Sequence, residues 1–369
     1  PSPFNPPAGN TELIVSSGTT GTNLIMPTTV SDVLVDTTSR VTLTAEAGTT
    51  GQQNVIAGTG GIDLTTNDGT GTILAAGGEN LITVAVGGDH EIVTGAGDDI
   101  IRLTHGNNTV SAGAGDNTIT LGDGDNYVLS TGTDNIGKAI GVTVGGSDTI
   151  NAALNANAVN VNGGLNDITF INGSGASTFN GQSGSDTVYG GVGGGTYQGG
   201  SAGNNVMIAG TGAVDFIGGG SGDVLSLTTG NASNVLTAGS GNETLTGGLA
   251  TGANTFQAGS GNDLVVGGIL GNDVLQAGTG NASLVGGLGS NQFLFVNGEA
   301  GGNDMLLDFP LSSGNRVNLQ GYATNQVETA LADAVVAHGN TTITLSDNTS
   351  ITFLNDTHVT AANFITTAA

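Results

Sequence analysis

Asp99, Asn108, Asn117 and Asn126 follow one another at nine-residue steps, and each stands two residues after a glycine: Gly97, Gly106, Gly115 and Gly124. Two residues further on come Ile101, Val110, Ile119 and Val128. Carboxylate or amide oxygens beside tight turns, completed by turn carbonyls, form an all-oxygen cage suited to a hard cation such as calcium. In later units the same position is Asp148, Asp186, Asp223, Asp263, Asp273 or Asp304, elsewhere Asn205, Asn254, Asn291 or Glu243, and in a few units Ser177, Gly195 or Ala282. The candidate calcium ligands are therefore Gly97, Asp99, Asn108, Gly115, Asn117, Asn126, Asp148, Asp186, Asp223, Glu243, Asp263, Asp273, Asn291 and Asp304. Asn keeps an oxygen but no charge. Calcium is expected where Asp stands, and hydrogen-bonded amide ladders where only Asn does. The acidic position is expected to project at the turn.

A fixed short period means one small unit stacked on itself. Two units make one coil, so same-side ligands lie about eighteen residues apart, as Asp99 and Asn117 do. The turn glycines supply positive φ without steric cost. The apolar residue of each unit points inward from a short strand. The beat resumes at Gly175, Gly184 and Gly193 and runs on through AGSGNETLT (238–246), AGSGNDLVV (258–266) and AGTGNASLV (277–285). The sector 130–172 is less regular, with one clean unit at VGGSDTINA (144–152).

These units resemble the RTX family, the glycine- and aspartate-rich nonapeptide repeats of secreted bacterial proteins, with pattern G-G-x-G-x-D-x-U-x. The resemblance covers about residues 76–308. It implies a parallel β-roll that orders on binding calcium. It continues in GGNDMLLDFPLSSGNRVNL (301–319), which looks like the element closing such rolls. TTITLSDNTSITFLNDTHVTAANFI (341–365) looks like the terminal hairpin and tail that carry a type I secretion signal.

Sixty-eight glycines in 369 residues would suggest disorder without the period. Ten Phe, four Tyr and no Trp leave a thin, one-dimensional core. The net charge is −26, and Arg40, Arg102, Lys138 and Arg316 are the only Lys or Arg. Nucleic acid is excluded as a partner, because phosphate contacts need a basic face, and binding to an anionic membrane is disfavoured. A surface this acidic repels itself unless cations neutralise it. With no cysteine, metal must supply the stapling. No apolar stretch approaches membrane-spanning length, and PSPFNPPAGN has no signal-peptide pattern. Pro1 would follow a trimmed initiator Met, so a nearly complete chain exported without an N-terminal leader is expected.

The expected architecture is all-β, a parallel β-solenoid with a C-terminal capping segment. Residues 1–10 form a Pro-rich arm. Residues 11–75 alternate Thr and Ser with apolar residues, as a cap or as an extension of the solenoid. Residues 76–308 are the repeats, and 309–369 the closing segment and secretion signal. Within the last, Val327, Leu331 and Val335 predict a helix over 324–338 stopped by Gly339. A hairpin turning near Asp347 and Asn348 follows. None of the four His lies in an HExxH motif, and His90 and His105 read as solvated turn residues. Polysaccharide lyases share the architecture but want a basic group, and the repeats offer only Arg102 and Lys138. Irregular turns disfavour an ice-binding face. The expectation is a non-enzymatic, secreted, calcium-binding structural protein. It would polymerise through its solenoid ends and N-terminal arm into a surface layer, matrix or filament. A calcium-dependent adhesin or carbohydrate-binding module facing a cell-surface polysaccharide is the alternative.

Overall fold

In an extended chain residues i and i+2 share a face, so Asp99 and Ile101 must point the same way. That parity organises the whole fold. The computed structural model describes residues 12–16, 23–67, 69–138, 146–312 and 314–368. The arm expected over residues 1–10 lies outside them. The chain divides into two compact units, Pro1–Gly181 and Gln182–Ala369. Each is a parallel β-solenoid in which the chain visits two sheets alternately. Among the described residues no helix is long and apolar enough to cross a membrane.

In the first unit, sheet I runs from strand Glu12–Ser16 to strand Asp167–Ile171, each strand parallel to the next. Sheet II runs likewise from Asn23–Met26 to Ser177–Asn180. Inward residues fall in register. Ile73, Ile92, Val110, Val128, Ile150 and Phe170 stack on sheet I. Leu64, Ile82, Ile101, Ile119, Ile136 and Val161 stack on sheet II. All are buried. Residues 12–75 continue the same ladders, as Leu64 opposite Ile82 shows.

The glycine beat has a steric cause. Gly115 has φ +117°, and a Cβ there would lie 2.3 Å from the Gly97 carbonyl oxygen of the preceding coil. Any side chain would have to push the coils apart.

The second unit repeats the scheme with a more aromatic core. Tyr197, Phe216, Leu236, Phe256, Leu275, Phe293, Val317 and Phe364 stack on its sheet II. Val188, Met207, Leu225, Leu245, Val265, Leu284, Leu306 and Phe353 stack on sheet I.

The end of the chain closes this unit. Strand Ser350–Phe353 adds parallel to Asn303–Leu306, and Phe364–Thr367 adds parallel to Arg316–Gln320. The chain between them reverses twice. Asn340–Thr344 is antiparallel to Ser350–Phe353, and Val335–Ala337 is antiparallel to Asn340–Thr344. The hairpin at Asp347 and Asn348 is present, with Asn348 at φ +69°. The helix is shorter than the sequence predicts: Gln326–Ala332 rather than 324–338. Val335 and Val336 are β-branched and take strand geometry instead. His338 and Gly339, at φ +53° and +81°, turn the chain as a two-residue hairpin loop.

Candidate metal centre

Strand parity places the Asx side chains inside, under the turns, rather than projecting from them. Asp99, Asn108, Asn117, Asn126, Asp148, Asp186, Asp223, Glu243, Asp263, Asp273, Asn291 and Asp304 are all buried. Each lies at the foot of a strand, two residues before its core residue. Gly97 and Gly115 form the turns above them.

Buried polar groups need partners, and these find them one coil away. Along one edge of the first unit, the Asn80 N–H donates to Asp99 Oδ1 (2.8 Å), the Asp99 N–H to Asn117 Oδ1 (3.0 Å) and Asn117 Nδ2 to Asp134 Oδ1 (2.8 Å). Along the other, the N–H groups of His90, Asn108 and Asn126 donate to Asn108, Asn126 and Asp148. The second unit carries two more such chains. The Asp186 and Asn205 N–H groups donate to Asn205 and Asp223, and those of Glu243 and Ala282 to Asp263 and Asp304. Opposite them, the N–H groups of Asn234, Asn254, Asp273 and Asn291 donate to Asn254, Asp273, Asn291 and Asn315.

Asp and Asn therefore do the same structural work, in that a side-chain oxygen accepts a main-chain N–H from the previous coil. They differ in the second oxygen. Asp223, Asp263 and Asp273 accept there from the N–H of Gly219, Gly259 and Gly268, closing their own turns. Asp186 accepts from the N–H of Gly200, 14 residues further along the chain rather than in its own turn. Asp99 Oδ2 and Asp304 Oδ2 are buried without a donor, as are both Glu243 carboxylate oxygens. The Thr94 hydroxyl beside Asp99 gives its hydrogen to the Ala112 carbonyl. Burial pushes the Asp304 carboxyl up to about 7 and raises Asp99. It also raises Glu243, helped by the neighbouring Asp263 and Asp223 carboxylates.

His90 is a further correction: it is buried in the Asx position rather than solvated, with Nδ1 3.2 Å from the Gly88 carbonyl. Burial lowers its pKa. His105 is exposed and faces Asp123.

Sequence reasoning missed Asn80, Asp134, Asn234 and Asn315 as ladder members. The first three carry the G-x-[DN]-x-apolar or equivalent spacing but are displaced from the nine-residue beat. It also missed Asp308, whose two oxygens accept from Gly286 and Gly287. No spacing signal marks it.

The RTX calcium-binding nonapeptide repeat model, four copies long, matches residues 84–119, 93–128, 104–135, 172–197, 199–232, 226–250, 237–269 and 270–306. The chain belongs to the RTX family. RTX nonapeptide repeats bind Ca2+, and RTX repeat proteins are typically secreted. No curated protein matches the chain. Among solved structures, the crystal structure of the extracellular lipase LipA from Serratia marcescens is similar, at 13% identity and a TM-score of 0.17. The match covers 83% of this chain and 44% of the lipase, so the chain spans less than half of that protein.

The RTX repeats here fit calcium where a buried carboxylate oxygen lacks a donor. Among the described residues no three Asp, Glu or His side chains converge on one point. A cation at Asp99, Asp304 or Glu243 would thus take its remaining oxygens from turn carbonyls or ladder amides. Asp99→Ala and Asp304→Ala are each expected to lower the calcium bound per chain in equilibrium dialysis. Asp263→Ala and Asn108→Ala should cost packing with little metal lost. Equal losses in all four would break the link between an open oxygen and a site.

The raised values carry a pH signature. Below about pH 4 these carboxyls are protonated whether the chain is folded or not. As pH rises toward the folded values, the unfolded chain ionises and the folded one resists, so calcium-free stability falls. In chelator the RTX solenoid should keep more of its β-sheet circular dichroism at pH 5 than at pH 8. Calcium added near pH 6.5 should release protons. Identical spectra at both pH values in chelator would contradict this.

Proposed function

We propose that this RTX protein is an extracellular structural element without catalytic activity, whose copies join end to end into a surface layer, matrix or filament once calcium is bound. The observation that carries this reading is the strand Val335–Ala337. Among the described residues it pairs on one side only. Val335 and Val336 are 62% and 57% exposed. Two antiparallel steps separate it from Ser350–Phe353, so it runs in the same direction as the solenoid strands of sheet I. An open, uncharged, apolar edge of matching polarity is a template for another strand. On a chain of net charge −26 it is also a place where two copies meet without opposing carboxylates. The N-terminal arm, four Pro in its first seven residues, is the second element proposed to engage a neighbour.

The test is electron microscopy of the full chain with and without calcium, beside Val336→Lys. Ordered polymers in calcium, absent in chelator and in the variant, are expected. A calcium-loaded chain that stays monomeric at all concentrations would overturn the reading. Residues 309–369 are proposed to hold the type I export signal as well as the closure. Normal export of a chain ending at Asp308 would refute that assignment.

A further inference from the structure

An outer sheet face meets water, and strands such as Thr109–Ser111 and Thr118–Leu121 turn hydroxyls toward it. The first coils of sheet I in the first unit do not. Ile14, Leu34, Ile56, Leu74 and Val93 stand in register on successive strands. The first four are 60%, 38%, 50% and 37% exposed. Their neighbours Val33, Val35, Val55 and Ile73 fill the core, so these side chains lie outside it. Ser111 ends the column. In the second unit, by contrast, the exposed Val224, Leu264 and Met305 alternate with Thr244 and Ser283 in one column. Single exposed apolar residues need no explanation, whereas a contiguous ridge marks a place of contact.

Carboxylates border the ridge. Side chains two residues apart on a strand share a face. Glu12, Asp32 and Glu91 stand two residues before Ile14, Leu34 and Val93, and Asp36 stands two residues after Leu34. Each is therefore roughly 6–7 Å from the ridge. The Asp32 carboxylate is fixed by the Asn54 amide (2.9 Å) and the Ser31 hydroxyl (2.7 Å), which favour its ionised form. The ion pairs among the described residues are Arg40–Asp63 and His105–Asp123, so none of the four border carboxylates has a cationic partner there.

These charges decide the occupant. A second copy would set its own carboxylates against them, and residues 1–10 carry no Lys or Arg. A helix repeats its apolar side chains along one line about every 5.4 Å, near the strand spacing of about 4.8 Å. Lys stems beside that line cover apolar surface while their ammonium groups reach outward. Four strand spacings, about 19 Å, take about 13 helical residues. We infer that the ridge from Ile14 to Val93 binds a cationic amphipathic helix, its apolar stripe on the aliphatic column and its Lys or Arg on Glu12, Asp32, Asp36 and Glu91. Helices of this class also lie on membranes, so a protein that holds them competes with a bilayer for them. The inference does not depend on polymerisation.

The experiment titrates the full, calcium-loaded chain in a calorimeter with a peptide of about 14 Leu and Lys residues in amphipathic helical spacing. The control peptide has the same composition, shuffled so that no apolar stripe forms. The salt is about 0.15 M, where charges further apart than about 8 Å are screened. Saturable binding of the amphipathic peptide is expected, at least tenfold tighter than that of the shuffled one. Leu34→Thr combined with Ile56→Thr gives the ridge a residue that other coils carry, and should weaken binding about tenfold or more, the scale of lost aliphatic burial. Its calcium-bound circular dichroism spectrum should match the parent's. Asp32→Asn combined with Asp36→Asn should weaken binding several-fold and flatten its salt dependence. Leu264→Thr, in the alternating column, should bind as the parent does. No binding, equal binding of the shuffled peptide, or full binding by either double variant would each overturn the assignment. So would a peptide-free dimer that the Leu34→Thr, Ile56→Thr change abolishes, because the ridge would then belong to a second copy. Val336→Lys, made to block polymers, should bind the peptide as the unmodified chain does, so the two readings fail separately.

Discussion

Stripped of calcium at neutral pH, the chain is expected to lose most of its β-sheet circular dichroism. It should expand toward the roughly 70 Å radius of gyration of an unfolded chain this long. The charge excess is 30 acidic to 4 basic residues, and no disulfide resists expansion. Ionising the buried carboxyls adds an internal repulsion, which burial and protonation of Glu243 hold off in the folded chain. Asp223, Glu243 and Asp263 occupy the Asx position of successive coils, one strand spacing apart and out of water. At that distance two like charges repel by about 3 kcal/mol at an effective dielectric near 20. A divalent ion on the open oxygens of Asp99, Glu243 and Asp304 would turn this repulsion into attraction. Turns closed by their own N–H groups, as at Asp273, should resist longest. Circular dichroism and small-angle scattering in millimolar calcium and in chelator decide the point. Superimposable data in the two buffers would show that this RTX solenoid folds without its metal.

Phe353→Ala is expected to cost about 3–5 kcal/mol, the range for emptying a buried aromatic site. Phe353 is fully buried in the last inward layer. Its ring centroid lies 5.0 Å from that of Phe309 in an edge-to-face contact and 6.0 Å from that of Phe364. Phe309 in turn lies 5.7 Å from Phe293, in the coil beneath. One ring thus ties the closing strands to the repeats, and its loss should free residues 309–369 before the rest melts. Urea unfolding in calcium, with limited proteolysis of the closing segment, gives the readout. Val335→Ala, on the exposed edge, should change stability by less than about 0.5 kcal/mol. A Phe353→Ala chain as stable and as protease-resistant as the parent would mean that the aromatic layer does not hold the closure.

Much of this was legible in the residues. The nine-residue beat gave the coil, the inward residues Ile92, Ile101, Val110, Ile119 and Val128, and the eighteen-residue pairing of Asp99 with Asn117. The hairpin at Asn348 was visible because Asp-Asn between alternating apolar residues is turn chemistry. The third strand was not. Helical spacing of Val327, Leu331 and Val335 masked it, and what separates the two is a positive-φ His338 that no pattern announces. The inward turn of the Asx residues was available from parity alone, yet a carboxylate invites placement in water. The division between Asp263 and Asp99 lay beyond sequence. Both sit in the same motif, and only the path of the turn decides whether a main-chain N–H reaches the second oxygen.

The buried ladders also give the molecule a direction. Each rung sends an N–H from one coil to an oxygen on the next coil toward the C-terminus, never the reverse. For this ladder alone, a coil that loses its predecessor gains a spare lone pair on its buried side-chain oxygen. Its sheet N–H groups, such as that of Thr118 to the Asp99 carbonyl, lose acceptors as in any parallel sheet. A coil that loses its successor is left with a buried, orphaned N–H, the costlier defect at about 1–3 kcal/mol. The final rung escapes this because Asn315 donates its N–H to Ser312 and its amide to Phe309, within its own loop. At Asn315 the ladder therefore ends with its donors satisfied inside one loop. Within each buried ladder, a coil added on the N-terminal side finds the acceptor for its Asx N–H already in place.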